Sequence, residues 1–133
     1  MVAKKTTKNA SKKKKNIKLA YGLLYVQTSP NNTIVTLTDE NGNKVLWGGT
    51  GLVGYKGSKQ STPYAAEVLT KEILQEAKNY GLNQIAIIFK GIGLSRDGVF
   101  KAINDLGGID IQYIKETTPI QFGGCKGKRQ RRI

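Results

Sequence analysis

Apolar residues along this chain change period four times, and those changes mark out the elements. From Ile17 to Gln27, Leu19, Tyr21, Leu23 and Tyr25 alternate in part with other apolar residues, which predicts a first strand. Ser29-Pro30-Asn31-Asn32 is a turn signal, and the β-branched run Thr33–Thr38 suits an antiparallel return strand. Asn41-Gly42 is a strong short hairpin signal, so Lys44–Trp47 should pair back across it. A three-stranded meander follows.

Gly48–Gln60 carries five glycines and no hydrophobic period, which predicts an irregular loop with exposed backbone. Thr62 then caps a helix with Pro63 at its first position. Ala65, Ala66, Leu69, Ile73, Ala77 and Tyr80 trace one helical face, and Gly81 ends it. Glu67, Lys71, Glu72, Glu76 and Lys78 read as a solvated face, with Glu67–Lys71 a favourable pair four residues apart.

Ile85–Phe89 is apolar without alternation, the mark of a strand buried on both faces. Gly91 and Gly93 break the chain. Ser95 is placed to cap a second helix, with Val99, Ile103 and Leu106 on one face and Gly107-Gly108 stopping it. In Ile109–Lys115, Ile109, Ile111 and Tyr113 alternate with Asp110 and Gln112, as in a strand with one wet face or at an edge. The pattern predicts an α/β fold: a mixed β-sheet, antiparallel meander plus parallel strands, with two main helices packed on it. Residues 17–119 form the single domain, 1–16 a basic N-terminal extension and 120–133 a basic C-terminal tail.

Charge sharpens this division. Residues 1–18 hold eight lysines and no acid, and residues 126–133 hold Lys126, Lys128, Arg129, Arg131 and Arg132 and no acid. Between them nine basic and nine acidic side chains cancel, so the net +13 belongs to the ends. Blocks of like charge are disordered when free and meet a polyanion. Nucleic acid is the leading partner. The ends hold almost nothing apolar to insert into a membrane, no run is long enough to span one, and the first sixteen residues lack the apolar stretch of a secretory signal.

Catalytic signatures are sparse. The chain has no histidine, so the commonest general base and metal ligand are both missing, and Cys125 alone makes neither a disulfide nor a thiol cluster. Gly51–Ser58 fails the Walker pattern because its lysine precedes the glycine. Gly91-x-Gly93 followed by Arg96 is half a dinucleotide fingerprint: a tight turn is the commoner meaning, and Arg96 at a helix start tips it towards an anion contact, with pairing to a nearby acid such as Asp97 the alternative. Ser58, Ser61 and Ser95 read as caps or turn residues, and the carboxylates show no pair spaced for acid–base or two-metal work. A nucleotide-dependent enzyme using the Gly91–Asp97 loop is the alternative reading, and a nuclease a third that lacks its carboxylates. Most strand aromatics are assigned to the core; Tyr55 and Phe122, in loop and tail, are the ones expected to stack on bases.

Five stretches resemble a known family. Pro30–Thr36 (PNNTIVT), Gly54–Ser58 (GYKGS), Ser61–Ala66 (STPYAA), Lys90-Gly91-x-Gly93-x-x-Arg96-Asp97 and Thr118-Pro119-Ile120-x-x-x-Gly124-Cys125 match, in order and spacing, small-subunit ribosomal protein eleven in its bacterial and organellar form. The resemblance covers roughly Lys18 to Ile133. It implies a ribonuclease H-like fold without nuclease activity, no cofactor or metal, and no homo-oligomer. It implies a place on the small-subunit platform, on rRNA near its 3′ end, beside neighbouring platform proteins and mRNA at the exit path. The RNA-facing residues it implies are Asn31, Asn32, Lys56, Gly57, Ser58, Lys59, Gly91, Gly93 and Arg96, with the Lys126–Arg132 basics. The charge pattern adds Lys12, Lys13, Lys14 and Lys15, and the aromatics add Tyr55 and Phe122. Ile92, Leu94, the Gln121-Phe122-Gly123 run, Lys126-Gly127-Lys128 and Gly48-Gly49-Thr50 depart from the family's usual residues. With the lysine-rich composition they suggest an organellar copy, mitochondrial before plastid, with a bacterial origin the alternative.

Overall fold

A computed structural model describes residues 18–133. The start of the first predicted strand at Ile17 and the RNA-facing assignment of Lys12–Lys15 lie outside the described residues. Five strands, β1 (Tyr21–Thr28), β2 (Thr33–Thr38), β3 (Lys44–Gly49), β4 (Gln84–Lys90) and β5 (Asp110–Glu116), form one sheet in the order β3-β2-β1-β4-β5. β1 pairs antiparallel with β2 and β2 with β3, while β1–β4 and β4–β5 are parallel. The mixed sheet is therefore the expected one, a meander extended by two crossovers. Helix α1 (Pro63–Lys78) makes the first crossover and α2 (Arg96–Leu106) the second.

The sheet is covered on one side. Leu24, Val26, Val35, Leu37, Ile85, Ile87 and Phe89 point to that side and pack with Leu69, Ile73 and Leu74 of α1 and Val99 and Ile103 of α2. Their removal from water is the main stabilising term. β4, next to the central strand β1, buries Ile85–Phe89 without a break, as its unalternating sequence predicted.

α1 begins as expected: the Thr62 hydroxyl accepts from the Ala65 N–H at 3.3 Å and Pro63 stands at the helix start. α2 does not. The Ser95 side chain makes no capping bond; its buried Oγ accepts from Thr33 Oγ1 at 2.7 Å, tying the helix start to the head of β2. Glu67 corrects the solvated-face reading of α1. It is buried, pairs with Lys71 at 2.6 Å and lies 3.4 Å from Lys101 of α2, and Lys71 reaches on to Asp105 of α2 at 2.9 Å. The charges form a clamp between the helices.

The Asn41-Gly42 hairpin closes differently from the two-residue turn its sequence suggests. Only Gly42 has positive φ, +87°, and the Gly42 N–H donates to the Asp39 carbonyl at 3.2 Å. Asp39 Oδ1 accepts from the Asn41 and Asn43 N–H groups, at 3.0 and 2.8 Å, and the Asn43 bonds hold its carboxyl below the usual range. β3 also runs two residues past Trp47, to Gly49, because Gly48 leaves room for Leu69: a Cβ there would stand 2.8 Å from Leu69 Cδ1.

Gly98 sets how closely α2 lies on α1. A Cβ there would sit 2.0 Å from the Pro63 carbonyl oxygen and 3.1 Å from the Glu67 nitrogen, both backbone atoms that cannot swing aside. Gly98→Ala should force the helices apart and destabilise the fold by about 1–3 kcal/mol or more. A denaturant melt of the purified chain checks this, a wild-type midpoint being the contrary result.

Candidate nucleic-acid interface

Three loops meet at the carboxyl ends of β1 and β4, the end of an open α/β sheet where ligands generally bind. The first, Ser29–Asn32, is a closed turn: the Ser29 N–H donates to the Asn32 carbonyl at 2.9 Å, and the Asn32 N–H donates to Ser29 Oγ at 3.0 Å. Asn31 is exposed at its tip. Asn32 is not free: its Oδ1 accepts from the Thr33 N–H at 2.7 Å and from the Thr50 hydroxyl at 2.8 Å.

Thr50 organises the second loop, which is irregular and largely exposed as expected but tied at several points. It is fully buried; its N–H donates to the Thr33 carbonyl at 3.2 Å, and its hydroxyl also lies 2.9 Å from the Gln60 carbonyl. Tyr55 N–H returns to the Thr50 carbonyl at 3.3 Å, and Gln60 Nε2 donates to the Tyr55 carbonyl at 3.2 Å. A short 3₁₀ helix follows at Gly57–Ser61. Lys56, Gly57, Ser58 and Lys59 are exposed on this tied loop, so backbone and charge are presented from a fixed frame. Tyr55 is half-buried and packs edge-on against Tyr64, with ring centroids 6.2 Å apart, which burial and that neighbour reflect by raising its hydroxyl pKa.

The third loop, Gly91–Ser95, holds glycines for a reason internal to the fold. Gly91 has φ +95°, and a Cβ there would stand 1.9 Å from the Thr28 carbonyl oxygen; at Gly93 it would stand 3.3 Å from Thr28 Cβ. The loop lies directly on the end of β1, where Thr28 Oγ1 is buried without a partner. Ile92 and Leu94 project into water on the outer side. With Ser29, Pro30, Ser61 and Gly93 they line an open depression of about 410 Å³.

Arg96 is the main correction. Its partner is an acid, the alternative reading, but Glu116 at the end of β5 in place of Asp97, by two bonds at 2.5 and 2.9 Å. It also donates to the Gly91 carbonyl and, at 3.3 Å, to Thr118 Oγ1, and it lies 5.4 Å from the centroid of the Phe89 ring. The fork that would grip a phosphate is occupied, and the Gly91 N–H is bonded to Thr118 Oγ1 at 3.1 Å. The nucleotide-enzyme reading loses its phosphate ligands. Among the described residues no group of three His, Cys, Asp or Glu side chains could hold a metal ion, and no helix is long and apolar enough to cross a membrane.

Residues 117–133 leave β5 without helix or strand. Phe122 and the tail's Lys126, Lys128, Arg129, Arg131 and Arg132 are exposed, as is the free Cys125. The site is therefore in two parts. One is the loop cluster with Asn31, Lys56 and Lys59 outward; the other is the tail, rooted beside the cluster by Arg96, Glu116 and Thr118.

Four exposed aromatics escape the sequence reading: Tyr64 at the start of α1, Tyr113 of β5, Tyr25 and Trp47. Tyr25 and Trp47, assigned to the core as strand aromatics, stand on the uncovered side of the sheet. The partial alternation of β1 carried that signal for Tyr25; nothing local carried it for Trp47.

Tied loops at one sheet end and a cationic tail have the build of a polyanion-binding structural module. Comparison with known sequences makes the class specific. The family described as Ribosomal protein S11 matches residues 22–132. A relative from Thermotoga maritima, named small ribosomal subunit protein uS11, is 37% identical over 93% of this chain and 95% of its own length. Its namesakes from Kosmotoga olearia and Nautilia profundicola are 41% identical over 92% of this chain and 94% of their own, and 36% identical over the whole of both. The chain belongs to the ribosomal protein S11 family.

Hydrogen bonds from Arg96 first and Thr118 second hold the Glu116 carboxyl below its ordinary range, as those from Lys71 do for the Glu67 and Asp105 carboxyls. A folded pKa below the unfolded value, about 4.3 for glutamate, gives stability that is complete above that pH and drains away as pH falls through the folded value. Acid titration monitored by circular dichroism should therefore show unfolding promoted below about pH 4.3. Glu116→Gln should weaken that acid dependence; an unchanged acid limb would count against the latch.

Proposed function

We propose that this protein is a structural constituent of the small ribosomal subunit that binds rRNA through the loop cluster and the two cationic ends, and that it carries no catalytic activity. The carrying observation is the separation of charge: an electrically balanced body, and a +13 surplus confined to the ends. Family membership and relatives named for the small subunit support it. Single-stranded and duplex RNA alike present phosphates that lysine and arginine neutralise with release of counterions.

In finer detail the reading follows the family resemblance. The rRNA is that of the platform near its 3′ end, the neighbours are platform proteins, and mRNA passes close by. Within the loop cluster Asn31, Lys56, Gly57, Ser58 and Lys59 face the RNA, and Asn32, Gly91, Gly93 and Arg96 shape the surface that does so. Phe122 and the Lys126–Arg132 basics act from the tail, and Lys12–Lys15 from the other end. Residues 1–16, 17–119 and 120–133 divide the work into arm, body and tail. The relatives found are bacterial, which supports a bacterial-type ribosome and lends no weight to the mitochondrial placement suggested by composition.

If about half the end charges meet phosphates, log affinity for an rRNA fragment should fall with log salt at a slope of roughly −5, and a slope shallower than about −2 contradicts the reading. Deleting 126–133 should flatten that slope and leave the melting transition in place. A truncated chain that no longer melts cooperatively would make the tail part of the fold instead.

A further inference from the structure

Both helices lie on one side of the sheet, and among the described residues no element covers the other. Strand pairing sets what that bare side carries. Across its middle run Trp47, Thr36, Tyr25, Ile88 and Lys115, one from each strand, because Thr36 pairs with Trp47 and Tyr25, and Ile88, itself buried, with Tyr25 and Lys115. Tyr25, Trp47 and Tyr113 are 38%, 55% and 48% exposed. Lys44 sits over the Trp47 ring, 5.3 Å from its centroid, and Lys90, opposite Gln27, and Lys115 stand further along the same side. Of the strand carboxylates, Asp110 faces this side at one corner, beside Gln84, while Glu116 turns to the covered side with Phe89.

We propose that this bare side is a second RNA surface, a stacking platform for unpaired bases, distinct from the loop cluster and the tail. The chemistry is that of bases lying on aromatic faces while lysines take the flanking phosphates. Trp47 and Tyr25 are two strands apart, about 10 Å, so each ring has room for its own base. Lys44 leaves the indole for a phosphate as a base takes its place. Charge distinguishes this occupant from a protein, since the centre of a protein interface is depleted of charge. Here Lys44, Lys90 and Lys115 flank the rings, while the carboxylates of this side, Asp110 and Glu40 near Tyr21, are gathered at one end.

The proposal rests on RNA being the partner, and the single tryptophan of the chain lets the platform be tested apart from the cationic ends. The full-length protein is titrated with a single-stranded oligoribonucleotide, a duplex of equal length and heparin, following Trp47 emission. The single strand should quench the indole and the other two should not. Tyr25→Ala and Trp47→Ala should each weaken single-strand binding on the order of tenfold, measured by anisotropy of a labelled strand, with duplex binding and its salt slope unchanged. Trp47→Phe should retain most of the affinity, which separates stacking from a folding defect. Equal responses to single strand and heparin overturn the proposal, as does single-strand affinity insensitive to both alanine variants. In irradiated small subunits, cross-links from the Trp47 or Tyr25 peptides to RNA support the platform, and cross-links to another protein overturn it. A failure confined to these readouts leaves the salt slope on rRNA fragments intact, so the loss of this surface and the loss of the charged-end reading are told apart.

Discussion

Backbone-to-backbone contact between α2 and α1 at Gly98 and Pro63 is the constraint on which the architecture turns. Helices normally meet through side chains at 8–10 Å between axes; removing the side chain at the crossing draws them closer. Both helices then fit over one side of a five-stranded sheet, and the Glu67, Lys71, Lys101 and Asp105 clamp closes the seam between them. Such a clamp costs desolvation and is weak evidence of stability by itself. Its value is registry: Lys71 satisfies Glu67 from within α1, and Lys101 and Asp105 of α2 join the set only when the two helices are aligned. The same economy of layers leaves the opposite side of the sheet without a layer over it, although Ala86 and Ile88 of β4 are buried there.

The loop cluster shows the same logic at smaller scale. Asn32, Thr33, Thr50 and Ser95 join the β1–β2 turn, the loop after β3 and the start of α2 through short polar bonds in a largely buried setting. Partners that satisfy one another in low dielectric are rigid, and leaving one unpaired is expensive. The exposed lysines and asparagine are thus carried on a frame fixed before any ligand arrives. Preorganisation of this kind reduces the ordering cost of association.

Much of this was legible from the amino acids. The meander, both helices, the twice-buried strand and the charge-bearing ends follow from local period and composition, and five motifs in register carried the family. What escaped was tertiary. In the sequence Arg96 looks anion-seeking because its partner, Glu116, lies twenty residues away on a strand whose parallel pairing no local signal reveals. The glycines at 91 and 93 look like a ligand cradle in one dimension and prove to be clearance for Thr28 in three. Ser95 resembles a cap until Thr33 arrives from another strand. The alternation of β5 misleads because a register shift opposite Ile85–Ile87 puts Ile111 and Ile114 on one side and swings Tyr113 to the other, within reach of Tyr21.

The latch of Arg96 on Glu116 and Thr118 does more than occupy a guanidinium. It pins the point at which the chain departs from the sheet, since Thr117 is also bonded to Phe89 and Thr118 to the Gly91 N–H. Fourteen residues follow, 120–133, and a fully stretched chain of that length spans about 45–50 Å. Anchored at its base, that segment is long enough to reach anywhere within a hemisphere of this radius around one corner of the body. Its basic groups begin only at the seventh of those residues, so the near half of the hemisphere is crossed by neutral chain. The positive charge of this segment is thus set apart from the folded body by a neutral stretch of chain.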